Sequence, residues 1–135
     1  MERYYEDEIR GLAERIQRMG EAVEQRVEQA VDALKRQDVE LARRTIDSDT
    51  DIDRMELENE EYALTLFARF QPQAGDLRFI TNALKINMEL ERIADLAVDI
   101  CQRVEDLAGQ PLLKPLVDIP KLAEVARQMI REAIE

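Results

Sequence analysis

Apolar side chains recur every three or four positions along most of the chain, which is the spacing of one face of an α-helix. The first stripe runs from Ile9 to Leu34 and comprises Ile9, Leu12, Ile16, Met19, Val23, Val27, Ala30 and Leu34. The break "KRQDVE" follows, in which Asp38 is the predicted N-cap of the next helix. A second helix is predicted from about Val39 to Phe70. Pro72 ends it, because proline lacks a backbone donor and restricts the residue before it.

A third helix is predicted after the turn "QPQAGD", with Asp76 as its cap and its end near Leu107. Its apolar stripe alternates steps of four and three and consists of Phe79, Ala83, Ile86, Leu90, Ile93, Ala97, Ile100, Val104 and Leu107. Long helices joined by short connections pack side by side in opposite directions. The sequence therefore predicts an all-α fold, an antiparallel three-helix bundle over residues 1–108.

A proline-rich connection and a fourth helix follow the bundle. The stretch "AGQPLLKPLVDIP" predicts a linker over residues 109–120, and residues 121–135 place apolar side chains on one helical face. Pro120 suits the first turn of this helix. The predicted helix reaches Glu135 without a C-terminal cap. We therefore expect either a truncated chain or a helix that completes its packing against another copy.

Composition narrows the class of protein. Hydrophobic residues make up 45% of the chain, which excludes disorder for most of it, and the formal charge of −11 argues against nucleic acid as a partner. Cys101 is the only cysteine and lies in an apolar helical context, which predicts a small buried side chain rather than a disulfide. No apolar run approaches the roughly twenty residues that span a bilayer, and the acidic N-terminus is unlike a signal peptide. We expect a cytoplasmic protein.

Acidic residues interrupt the apolar faces of the second and third helices. A coiled-coil register places Asp49 and Asp53 within the stripe of the second helix, followed by Glu56 and Glu60. On the third helix, the acids at i, i+4 and i+8 share one face, and they are Glu91, Asp95 and Asp99. An antiparallel turn centred near Pro72 would place Asp49 opposite Asp95 and Asp53 opposite Glu91.

Carboxylates brought together in partly dry surroundings must take up protons or bind a cation. The spacing therefore predicts a metal site built from several carboxylates. The alternative, that these acids form a solvated outer face, stays open at this point. Their counter-ions would then be basic side chains nearby, namely Arg54, Arg78, Lys85 or Arg92.

The stretch "LTLFARFQPQAGDLRFITNALKINMELERIADLAVDICQRV", residues 64–104, resembles the PhoU family of phosphate-uptake regulators. The family pattern has an Ile-Asp pair on the second helix, here Ile52-Asp53, then a Q-P-x-A-x-D-L-R turn, here "QPQAGDLR". An E-R-I-x-D-x-A-x-[ND]-I signature follows on the third helix, here "ERIADLAVDI". The resemblance covers positions 5–107 as one three-helix repeat and implies that residues 121–135 are the first helix of a second, truncated repeat.

By this resemblance, the family's metal motifs map onto Asp49 to Asp53 and Glu91 to Asp95, and Asp99 stands where asparagine is often found. The metal ligands expected are thus Asp49, Asp53, Glu91, Asp95 and Asp99. Family clusters hold iron, zinc or lighter divalent ions. Here the chain has no histidine, and Cys101 is misplaced by the heptad count. Ligands limited to oxygen favour Mg²⁺, Mn²⁺, Ca²⁺ or ferric iron.

The resemblance implies a regulator rather than an enzyme, restraining a phosphate ABC transporter through contacts with the transporter ATPase and the phosphate-sensing histidine kinase. A homo-oligomer, such as a homodimer, is expected. Two alternatives remain: an interaction module of a transporter-associated protein, and a purely oligomerising bundle. A di-iron enzyme is disfavoured, because such bundles use Glu-x-x-His pairs and this chain has no histidine.

Overall fold

The computed structural model describes residues 2–108 and 118–134. Its helices are α1 (Glu2–Arg36), α2 (Val39–Asp47), α3 (Thr50–Phe70), α4 (Ala74–Asp106) and α5 (Asp118–Ile134). The described residues contain no strand, so the predicted all-α class is confirmed. Among these helices, none combines the length and the apolar character needed to cross a membrane.

The longest helix, α1, is the central element of the bundle. It packs against each of the other helices, and most extensively against α4. Its predicted apolar stripe points into the core, where Leu12, Met19 and Val23 are almost completely buried. Full burial of one such side chain stabilises the fold by about 1.5–3 kcal/mol. Cys101 on α4 lies in the same core as predicted, and burial raises the pKa of its thiol.

The predicted second helix is divided in two, so the prediction of one continuous helix from Val39 to Phe70 is wrong. Asp38 caps α2 as expected, accepting a bond from the backbone nitrogen of Leu41 over 3.0 Å. The helix then ends at Asp47, and α3 begins at Thr50. Ser48 closes α2 through its hydroxyl, which donates to the backbone oxygen of Thr45 over 3.0 Å. This side-chain bond competes with helix continuation and favours a break here.

A tight reversal joins α3 to α4. Gln71 adopts a left-handed conformation with φ of 46°, and Pro72 follows, as the predicted end of the helix requires. Gln73 occupies the N-cap position of α4, so the prediction that Asp76 is the cap is wrong. Asp76 lies instead in the first turn, where a negative charge interacts favourably with the helix dipole.

The fourth predicted helix is present as α5, with Pro120 in its first turn. Most of the predicted linker, residues 109–117, lies outside the described residues. Ion pairs fasten α5 to α1, because the Glu24 carboxylate contacts Arg131 and lies 3.5 Å from Arg127. The hydrogen bond from Arg131, together with the positive charges, holds the pKa of Glu24 below its ordinary value.

Candidate metal centre

A buried arginine on α1 binds the junction between α2 and α3, which directly precedes the acidic residues of α3. Arg26 is 8% exposed, and its guanidinium donates to the backbone oxygens of Thr45 and Ser48 over 3.4 and 3.1 Å. It also contacts the Ser48 hydroxyl. These carbonyls end α2, where a positive charge is favourable. Arg26 on α1 therefore holds the junction between α2 and α3, and Asp49 lies at the start of α3.

Asp49 occupies the N-cap position of α3 without using its side chain as a cap. Its Oδ1 atom is buried and has no hydrogen-bond partner among the described residues. Such an orphaned carboxylate oxygen is costly unless a proton or a cation satisfies it. Burial first, and then the charges of Asp53 and Asp95, raise the pKa of Asp49, whereas Arg26 lowers it.

Three carboxylates from α3 and α4 converge into what we call the acidic cluster, Asp49, Asp53 and Asp95. Each offers one oxygen, and these oxygens lie within 4.8 Å of one another. Asp49 is partly buried, whereas Asp53 and Asp95 are exposed. The cluster thus opens to solvent at the surface between the two helices.

Two glutamates extend the negative charge along the same face. Burial, and then the hydrogen bond and charge of Asp95, raise the pKa of Glu91 to about 7, with smaller contributions from the charges of Glu56 and Asp53. Burial also raises the pKa of Glu56, followed by the charges of Glu60, Asp53 and Asp95. Without a cation, the Glu91 carboxyl group is therefore partly protonated near neutral pH.

The cluster fits a hard metal ion. Calcium binds oxygen ligands at about 2.3–2.6 Å, so two ligands on opposite sides of one ion are separated by roughly 5 Å. The separations within the cluster, up to 4.8 Å, fall in this range. All three donors are carboxylate oxygens, which suit Mg²⁺, Ca²⁺ or Mn²⁺ better than soft metals. The buried orphan oxygen of Asp49 supplies a further reason for a cation here.

Two of the arginines considered as counter-ions pair with other acids. Arg54 binds Asp51 over 2.9 Å, and Arg92 lies 3.6 Å from Glu89. Each is an exposed pair within one helix, and pairs of this kind contribute little to stability. These two guanidinium groups therefore pair with acids outside the acidic cluster.

Comparison with known proteins identifies the family. The family model for the PhoU domain matches residues 16–104. This chain belongs to the PhoU family. The PhoU match covers most of α1, all of α2 and α3, and α4 up to Val104, so it includes every carboxylate of the acidic cluster.

Curated PhoU proteins are similar along nearly the whole chain. The "Phosphate-specific transport system accessory protein PhoU homolog" of Aquifex aeolicus is 36% identical over 127 residues, which cover 94% of this chain and 58% of that protein. The homolog of Rhizobium meliloti is 35% identical, with coverage of 97% and 56%. The Escherichia coli protein is 32% identical, with coverage of 95% and 53%. The chain thus spans just over half the length of these relatives.

Within the PhoU domain, the structure gathers some of the predicted ligands and not others. Asp49, Asp53 and Asp95 form the cluster, and Glu91 lies close enough to Asp95 for a hydrogen bond. Asp99 is exposed, further along α4, and is not part of the three-residue group.

Glu56 was left out of the predicted ligand set, although its charge acts on Glu91. The signal was present in the sequence, because Glu56 lies on the acidic stripe three positions after Asp53. It is partly buried, and its pKa is raised by the same neighbours. Glu56 therefore belongs to the electrostatic surroundings of the cluster.

Proposed function

We propose that this chain is a PhoU-type accessory regulator of a phosphate transport system, acting in the cytoplasm by contact with transporter or signalling proteins rather than as an enzyme. Membership of the PhoU family carries the proposal, together with relatives named as accessory proteins of phosphate-specific transport. The partners implied are the transporter ATPase and the phosphate-sensing histidine kinase.

The acidic cluster serves this function as a structural cation site. Asp49, Asp53 and Asp95 would hold the ion, with Glu91 close enough to join them. A bound cation would neutralise the repulsion among these carboxylates and tie the start of α3 to the middle of α4. Metal binding of this kind adds to folding free energy, because the unfolded chain has no preformed site.

A binding experiment tests the regulatory role. The chain is immobilised and incubated with the purified ATPase subunit of a bacterial phosphate transporter and, separately, with an unrelated ABC transporter ATPase. We expect saturable binding to the phosphate ATPase alone. Equal binding to both ATPases, or to neither, would contradict this partner assignment.

Chelation tests the cation site independently of any partner. Metal content and thermal unfolding are measured before and after chelation for the wild type and for Asp53→Asn/Asp95→Asn. We expect metal to be retained, and the melting temperature to fall on chelation, in the wild type and in the control variant below, but not in Asp53→Asn/Asp95→Asn. Glu58→Gln/Glu61→Gln is the matched control, because these acids of α3 are exposed and outside the cluster. Absence of metal after Mn²⁺ loading, with the aspartate variant as stable as the wild type, would contradict the site.

A further inference from the structure

Two asparagine side chains meet in the core between α3 and α4. Asn59 is 4% exposed and Asn87 is 2% exposed. Asn59 Nδ2 donates to Asn87 Oδ1 over 3.1 Å, and Asn87 Nδ2 donates to the backbone oxygen of Glu56 over 3.1 Å. Asn59 Nδ2 also lies 3.6 Å from the sulfur of Met19 on α1. The proposed cation site does not by itself explain why the core contains this amide pair.

The pair lies one helical turn from Glu56 and Glu91, the two glutamates beside the acidic cluster. Glu56 precedes Asn59 by three positions, and Glu91 follows Asn87 by four. These are the spacings at which side chains lie on one helical face. Because α3 and α4 run in opposite directions, both steps lead toward the acidic cluster. The second hydrogen bond also fastens the backbone of Glu56 directly.

Apolar packing alone fixes the axial position of these helices weakly. Alanine is the commonest buried apolar residue of these two helices, with Ala63 on α3 and Ala83, Ala94 and Ala97 on α4, beside the larger Ile52, Leu66, Ile80 and Leu90. Apolar contacts are not directional, so small side chains permit neighbouring packings. A buried amide without a partner, by contrast, loses its hydrogen bonds to water without replacement. A slide of one turn, about 5.4 Å, would break both bonds of the pair.

We propose that Asn59 and Asn87 are positioning residues for the cation site: their hydrogen bonds fix the axial register of α3 against α4, and that register brings Asp53 to Asp95. A buried polar pair is well suited to this role, since single buried asparagines select the register of coiled coils. The functional meaning of the inference rests on the proposed cation site, whereas the register can be measured without metal.

The test replaces both amides together, in Asn59→Leu/Asn87→Leu, so that no unpaired polar group remains. Asn82→Leu is the control, because Asn82 is exposed on the same helix. Spin labels at Glu58→Cys and Gln102→Cys, both exposed, report the axial distance between α3 and α4 in a Cys101→Ala background. Double electron–electron resonance on chelated protein measures that distance, and Mn²⁺ titration measures affinity in the unlabelled protein.

We expect one narrow distance in the wild type and the control. The double leucine variant should show a broadened distribution, or one shifted by about 5 Å, which is one helical turn. Its melting temperature should equal or exceed that of the wild type, because both polar groups are removed together. Its Mn²⁺ affinity should nevertheless fall at least about tenfold, the loss typical of disturbing the support of a metal ligand. If the pair only stabilised the fold, a variant with an unchanged melting temperature would keep its Mn²⁺ affinity.

A wild-type distance distribution in the leucine variant would overturn the inference, whatever its Mn²⁺ affinity. A changed distance with unchanged Mn²⁺ affinity would also overturn it. A changed distance in the variant, with no Mn²⁺ binding even in the wild type, would support the register role and refute the cation site instead. Should the leucine variant fail to fold, Asn59→Ala/Asn87→Ala removes the same hydrogen bonds without adding volume and gives the same two measurements.

Discussion

The Glu91 carboxylate should destabilise the metal-free protein above neutral pH, so Glu91→Gln should raise the melting temperature there. Burial, and then the hydrogen bond and charge of Asp95, raise the pKa of Glu91 from its ordinary value of 4.5 to about 7. Glutamine keeps nearly the same volume and can still form hydrogen bonds, but it carries no charge. The substitution therefore isolates the electrostatic cost of the ionised carboxylate.

The sign follows from proton binding. The folded protein holds the Glu91 proton more tightly than the unfolded chain does, so stability decreases as pH rises. The stabilising contribution is fully present below about pH 4.5 and is lost as the pH passes through about 7. The whole shift corresponds to about 3 kcal/mol. Because solvent screens this partly exposed carboxyl group, we expect about 1 kcal/mol, or about 3 °C in melting temperature for a domain of this size.

Thermal unfolding followed by far-UV circular dichroism, in chelator and at low ionic strength, measures this effect between about pH 5 and pH 8. Glu89→Gln is the control, because it removes a charge from an exposed glutamate of the same helix that pairs with Arg92 over 3.6 Å. We expect the wild type and the control to lose stability in parallel as pH rises, and Glu91→Gln to lose less. Added Mn²⁺ at pH 8 should restore the wild type, since a cation neutralises the same repulsion.

Parallel pH profiles of Glu91→Gln and the wild type in chelator would contradict this prediction. An equal gain in stability at pH 8 for Glu89→Gln and Glu91→Gln would contradict it too, because the effect would then reflect the net charge of the protein. If only Glu91→Gln gains stability at pH 8, and Mn²⁺ stabilises this variant less than the wild type, the destabilisation comes from repulsion around the acidic cluster.

Gly11→Ala should destabilise by about 1 kcal/mol in urea unfolding, despite the higher helix propensity of alanine, because its Cβ would collide with the Tyr62 hydroxyl. The loss should shrink in a Tyr62→Phe background. Gly75→Ala should stabilise by up to about 1 kcal/mol, since a Cβ there meets nothing within 4 Å. Arg26→Met should cost about 2–3 kcal/mol and weaken Mn²⁺ binding, because it frees the junction before α3. Asp38→Ala should cost about 1 kcal/mol, through loss of the α2 N-cap, and leave Mn²⁺ affinity unchanged.

A different result would contradict each of these predictions. Equal changes in Gly11→Ala and Gly75→Ala would exclude the close approach of α1 to α3. If Arg26→Met unfolds more easily but binds Mn²⁺ like the wild type, the arginine stabilises the junction without positioning Asp49. If Asp38→Ala loses Mn²⁺ affinity to the same extent as Arg26→Met, any loosening of α2 disturbs the acidic cluster. Arg26 would then have no specific role in positioning Asp49.

The sequence by itself determined the helical class and most helix limits, because these depend on local spacing. The stripe from Leu12 to Val27 predicted the buried face of α1, and Asp38 and Pro72 marked real helix ends. The same periodicity placed Asp49, Asp53 and Asp95 on facing sides of two neighbouring helices. Motif spacing also gave the resemblance to the PhoU family, which the family match then established.

Only the tertiary structure decided where the second helix breaks and which carboxylates meet. The break depends in part on Arg26, which binds the end of α2 from a distant part of the chain. Local helix propensity cannot predict such a contact. Helical periodicity places a side chain on a face but leaves the axial register uncertain by about one turn. The cluster of Asp49, Asp53 and Asp95, without Asp99, therefore required the packed helices, since contacts between helices set the distances between charges.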